Sequence, residues 1–212
     1  MSTWRAVVAI VGVVIVVLGC NKAPTVAPAA PARELPPLAI KGVELGSSPE
    51  SFIAEMGPHA VCNQERTLCA VHLKNAEAAC DGVADEDSCK KGVAESFAYG
   101  PTKATKFGFR YEQGRAVVGL ATFENKNFDG LVDALVTKYG PPAQEQVDTV
   151  SNAMGAKFRN RQLHWSLPGG SIRADERQAS IFEGAVSIYT QEGKAALGED
   201  VESSKKSNVG KL

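Results

Sequence analysis

The chain has no surplus of charge of either sign: 23 Lys and Arg stand against 24 Asp and Glu in 212 residues, a formal net charge of −1. With acids and bases interspersed, that balance excludes the basic stripe of a nucleic-acid reader and a polybasic membrane patch. No apolar run reaches the roughly 20 residues that a helix needs to cross a bilayer; the segment Ala6 to Leu18 stops short of it. The motifs that mark catalysis are also missing. There is no His-Glu-x-x-His, no Gly-x-Ser-x-Gly, no Cys-x-x-Cys and no phosphate-cradling glycine loop, and Gly169-Gly170 reads as a turn. His164 stands next to Trp165 without a nucleophile or carboxylate near it in sequence, so it reads as a structural or surface residue and not as a general base. The expectation is a protein that is not an enzyme and carries no cofactor.

What is present begins with Arg5, the one charge ahead of the apolar segment, which Asn21-Lys22 ends abruptly. This reads as the h-region of a signal peptide over residues 1–19. Val16-Val17-Leu18-Gly19-Cys20 resembles the lipobox of bacterial lipoprotein precursors. The resemblance implies cleavage before Cys20 and a diacylglyceryl group on its thiol. It also implies a mature domain tethered by that lipid to a bacterial membrane and facing the periplasm. Asn21, where an Asp would act otherwise, implies sorting to the outer membrane in lipoproteins of the enterobacterial kind. Residues 20–37 are then the lipidated cysteine and a linker, in which Pro24, Pro28, Pro31, Pro36 and Pro37 forbid helix and ladder alike. Extended at about 3.1 Å per residue, it reaches roughly 50 Å from the lipid surface.

Residues 38–190 have the length of one domain. Ser48-Pro49 opens a helix that Gly57-Pro58 stops. Phe128, Leu131, Val132, Leu135 and Tyr139 share one face of a second helix, with Asn127 placed to cap and Gly140-Pro141 to end it. Strand-like stretches follow each helix: Thr67–Leu73, Thr105–Tyr111, a Gln113-Gly114 turn and Arg115–Phe123 after the first. Gln146–Val150, Ala156–Leu167, Ser171–Arg177 and Ala185–Thr190 follow the second. The expected fold is α+β, in two helix-plus-antiparallel-meander halves, 38–126 and 127–190, with the helices on one face of the sheet. Residues 191–212, rich in Gly, Ser and charge, read as a disordered tail. Ile40, Gly46, Ser48, Phe52, Met56 and Gly57 resemble the signature of small outer-membrane-assembly lipoproteins of the SmpA/BamE type, whose fold the β-lactamase inhibitor protein shares. That resemblance implies a protein-binding module.

Cys62, Cys69, Cys80 and Cys89 remain after Cys20. In an exported domain they read as two disulfides, Cys62 with Cys69 and Cys80 with Cys89, or else nested as Cys62 with Cys89 and Cys69 with Cys80. His59, Cys62, Cys69 and His72 form a symmetric set that a tetrahedral zinc could accept, although oxidation competes for both thiols. Asp81, Asp85, Glu86 and Asp87 lack the alternation of a calcium loop and read as a solvated acidic loop. No metal is expected.

One strand carries a conflict. Alternation over Lys157 to Leu167 puts Lys157, Arg159 and Arg161 on the face of Leu163, Trp165 and Leu167. A β-bulge near Asn160-Arg161 would resolve it by turning Phe158 inward with Leu163 and Trp165, and by sending Arg159, Gln162 and His164 to the other face with Arg173. Those four residues are then the candidate partner surface. The functional expectation is a lipid-anchored envelope protein that binds another envelope protein. The alternative is a periplasmic inhibitor or a module for a small ligand or metal.

Overall fold

The computed structural model describes residues 35–100, 102–152 and 154–195. A short hairpin of β1 (Ala39–Ile40) and β2 (Val43–Glu44) leads into helix α1 (Pro49–Met56). Next come β3 (Val61–Cys62), β4 (Leu68–His72), α2 (Leu73–Ala78), α3 (Glu86–Ser96), β5 (Ala98–Tyr99), β6 (Thr102–Glu112) and β7 (Arg115–Glu124). Helix α4 (Phe128–Tyr139) opens a second run of β8 (Gln144–Ser151), β9 (Lys157–Leu167), β10 (Gly170–Ser180) and β11 (Glu183–Tyr189). The main sheet has the order β3-β4-β6-β7-β11-β10-β9-β8. The fold is α+β: each half is a helix followed by an antiparallel meander, and the meanders join through their last strands, β7 and β11.

Local chemistry explains the framework. Pro49 suits the first position of α1 because its missing N–H has no partner there. Gly57 and Gly140 end α1 and α4 at φ 68° and 85°, where a side chain is disfavoured, and each amide returns to a carbonyl four residues back. Neither Ser48 nor Asn127 caps through its side chain. Gln113 and Gly114 both take positive φ and close β6 onto β7 through a two-residue turn whose twist matches the strands. The helices gather on one face of the sheet. Phe52 of α1 meets Phe109 at 5.8 Å, Phe97 after α3 meets Phe107 at 5.5 Å, and Phe128 of α4 stacks on Phe123 at 6.4 Å. One core joins them to Leu131, Leu135, Leu163, Trp165, Ile172 and Ile188.

Three expectations need correction. The acids Asp81, Asp85, Glu86 and Asp87, read as a solvated loop, lead into and begin a helix, α3, which together with α2 before it the sequence did not signal. Asp85 is the N-cap of α3, its carboxylate accepting from the Ser88 amide at 3.1 Å, and Glu86 and Asp87 occupy the first turn, where acids complement the helix dipole. Hydrogen bonds from Ser88 hold the Asp85 carboxyl below the usual carboxylate range.

The bulge near Asn160-Arg161 is absent. β8 and β9 pair without interruption from Gln144↔His164 to Ser151↔Lys157. The irregularity lies one strand over, in β10 between Asp175 and Ser180, where side chains replace the ladder. Glu176 accepts from the Arg161 amide at 3.1 Å, and the buried Asn160 accepts from the Arg177 amide at 2.8 Å. Strict alternation therefore holds through β9, and position along the strand relieves the conflict. Trp165 sits at the C-terminal end of α4, donating to the Gly140 carbonyl at 2.8 Å, while Arg161 lies at its first turn, 5.7 Å over the Phe128 ring. Arg161 reaches Asp129 at 2.6 Å and Glu145 at 3.0 Å, and Lys157 and Arg159, further along, are exposed. Phe158 turns to the other face, under Arg177.

The first residues expected in the disordered tail are ordered. Residues 191–195 form a helical turn, with the amides of Gly193 and Lys194 returning to Thr190 Oγ1 and O, both at 3.0 Å. Gly193 is buried against β7, where an added Cβ would lie 2.9 Å from the Val118 side chain. Val117, Val118 and Tyr189 form a small apolar cluster apart from the main core. Residues 196–212 lie outside the described residues, as do the expected signal peptide, Cys20 and the linker up to residue 34.

Candidate functional site

One row of cross-strand neighbours crosses the helix-free face from edge to edge: Val61, Ala70, Gly108, Leu120, Ser187, Arg173, His164 and Gln144. Its chemistry changes where the two meanders meet. The first half offers only apolar residues, and the second only polar ones.

The polar half holds three of the four residues expected to form a partner surface. Gln162, His164 and Arg173 line a basin of about 300 Å³ together with Gln144, Gln146, Tyr189 and Lys194. Arg173 is fixed by Asp175, whose carboxylate is 3% exposed and accepts from Nε at 2.8 and 3.0 Å and from Nη2 at 2.8 Å. A guanidinium held on one side in this way keeps its orientation toward solvent on the other. His164 Nε2 lies 3.1 Å from Tyr189 Oη. Partial burial, then the positive charges of Lys194 and Arg173, hold His164 below its ordinary range. Burial raises the Tyr189 phenol. Arg159 does not join this group: with the register unbroken it faces the helix side of the sheet.

The apolar half went unread in the sequence. Leu68, Ala70, Gly108, Val118 and Leu120 line a trough of about 800 Å³ across β4, β6 and β7, together with Lys106 and with Arg110 and Glu112, which pair at 3.5 Å. Gly108 and Ala70 keep the floor low, and Leu68 is 55% exposed, with Val61 on the next strand at 67%. A signal was available. Leu68-Cys69-Ala70-Val71 and Val117-Val118-Gly119-Leu120-Ala121 are continuous apolar runs, which on a strand mean that both faces are apolar.

Two disulfides, Cys62–Cys69 and Cys80–Cys89, are formed. The first ties β3 to β4 at the outer margin of the sheet, directly across a paired position; the second staples the end of α2 to α3. Loops this short give about 2–3 kcal/mol each, enough to steady the edge strand and the helical excursion. With Cys62 and Cys69 bonded to each other, the zinc set with His59 and His72 has lost its thiolates. Among the described residues no helix is long and apolar enough to cross a membrane.

Comparison of the chain with known protein families, with characterised proteins and with solved structures finds no match.

Proposed function

We propose that the protein is a lipid-anchored component of a bacterial envelope, held through Cys20, whose domain acts without catalysis by docking another envelope protein on its helix-free sheet face. The trough over β4, β6 and β7 carries this reading, since soluble domains seldom leave a contiguous apolar depression open unless something binds there. The anchor draws support from the short apolar run that ends at Leu18-Gly19-Cys20. Two disulfides suit an oxidising compartment. The proline-rich linker would let the face reach a partner well away from the lipid. The polar basin beside the trough supplies orientation, with Arg173 preset by Asp175.

The anchor is tested by Cys20→Ser, which removes the only atom that can take the lipid. The variant should accumulate as unprocessed precursor and lose all incorporation of a fatty-acid analogue. Unchanged labelling would remove the anchor from this reading. The docking face is tested by Leu68→Asp in the tagged full chain, crosslinked in intact envelopes. A charge at the centre of an apolar contact should cut partner capture roughly tenfold or more. The exposure of Leu68 predicts an unchanged melting temperature. Arg159→Ala, on the opposite face, should capture as the wild type does. Full capture by Leu68→Asp would sink the trough as the docking surface.

A further inference from the structure

Among the described residues the polar basin is lined by two cations and by no acid. Arg173 comes to it from β10 and Lys194 from the turn at 191–195, and the amides of Gln144, Gln146 and Gln162 supply neutral donors around them. Asp175, 3% exposed, takes Nε and Nη2 of Arg173, while Nη1 has no acceptor among the described residues. Lys194 makes no ion pair among them either. Charged donors left without acceptors around one recess suit an anion. The balance of charge decides which anion. Asp175 offsets Arg173, and Asp148, which accepts from Gln162 Nε2 at 3.4 Å, stands near without lining the basin. At most one positive charge is left over, which matches a carboxylate and would leave the second charge of a phosphate uncompensated. Position ties the basin to the trough. Leu120, which lines the trough, pairs with Ser187, and Ser187 pairs with Arg173, two interstrand steps or about 10 Å along the same face. Two turns of an α-helix, about 10.5 Å from i to i+7, set two side chains at that spacing.

We propose that the basin receives a carboxylate of the docking protein, held by Arg173 Nη1 and Lys194, about 10 Å from an apolar side chain that the same protein sets in the trough. The inference rests on the helix-free face being the docking surface. It adds the chemistry of the partner: a segment that carries one apolar anchor and one acid at that spacing.

The test begins without a partner, on the full lipidated chain in detergent micelles, with backbone amides labelled for NMR and sodium acetate exchanged for sodium chloride at constant ionic strength. Acetate should shift the Gln162, His164 and Arg173 amides along a saturating curve and leave those of Ala70 and Gly108, in the trough, in place. Arg173→Lys keeps a cation beside the buried Asp175 but loses the flat fork, and should weaken acetate roughly tenfold. Lys194→Gln changes an exposed side chain and should weaken it about threefold with the melting temperature unchanged. Arg159→Gln, on the opposite face, should bind acetate as the wild type does. A response to acetate that does not saturate, tighter binding of inorganic phosphate than of acetate, or wild-type affinity in either basin variant would overturn the inference. Capture from intact envelopes then assigns the carboxylate. Lys194→Gln should capture about threefold less partner than the wild type. Full capture by Lys194→Gln would mean that the basin serves a free small carboxylate, and would overturn its assignment to the docking protein. Loss of capture in Leu68→Asp beside full capture in Lys194→Gln fails the basin alone, whereas full capture in both fails the docking face itself.

Discussion

Trp165→Ala is expected to cost about 3–5 kcal/mol of folding stability, close to the whole margin of many domains of this size. The indole is 2% exposed and packs opposite Ile172, under the end of α4. Removing it deletes the largest fully buried side chain among the described residues. The surrounding side chains come from β9, β10 and α4, which are tied down separately and can close the void only in part. The indole N–H also satisfies the Gly140 carbonyl at the C-terminus of α4, where backbone acceptors have no partner within the helix. Trp165→Phe separates the two contributions: it keeps most of the packing and loses the hydrogen bond, at about 1 kcal/mol. Chemical denaturation of both variants checks the pair. A loss below about 1 kcal/mol for Trp165→Ala would mean that α4 is not anchored there.

Trp165 also shows how far the sequence can be read. Its burial followed from alternation with Leu163 and Leu167, and the two main helices followed from proline, glycine and the 3.6-residue spacing of α4. Those signals are local and strong. The cysteine pairing was legible for the same reason, since close partners need no knowledge of the fold. Helices α2 and α3 escaped because one is six residues long and the other buries only Val93 within its span. Cys89, Val93 and Phe97 are spaced as one helical face, but charges surround them and the acids of Asp81 to Asp87 dominate the pattern. The placement of Arg159 failed for a different reason. The sequence shows that a strand of mixed character needs relief, but whether relief comes from a bulge or from running past the end of a helix depends on where α4 stops over the sheet. That is decided by Arg161 meeting Phe128 and Asp129, contacts between residues more than thirty positions apart. The trough is harder still, because it exists only once β4, β6 and β7 lie side by side.

The junction of those strands sets the last expectation: Gly119→Ala should destabilise the domain by about 1–3 kcal/mol, against the usual benefit of removing a glycine from a strand. Replacing glycine at a compatible position stabilises by about 0.4–1 kcal/mol through the unfolded chain, and alanine suits a strand at least as well. Space decides the sign here. Gly119 pairs with Phe109 on one side and Ile188 on the other, at the seam where the two meanders meet. A Cβ there would lie 2.6 Å from the Phe109 ring and 2.9 Å from the Ile188 side chain. Both neighbours are buried, and the Phe109 ring is held edge-on against Phe52 of α1, so it cannot swing away without moving the helix. Phe109→Leu removes the part of the ring that would collide. On its own it costs stability as a core truncation, but in the Gly119→Ala background the added cost should be smaller, with a coupling of about 1 kcal/mol or more in the double-mutant cycle. Additive losses would mean that the strain is taken up elsewhere on β7. A net gain for Gly119→Ala alone would mean that the seam is loose enough to admit a methyl group. Val118 and Leu120, the neighbours of Gly119, project to the opposite face and wall the trough. A shift of β7 by a few tenths of an ångström therefore reaches the docking surface as well as the core.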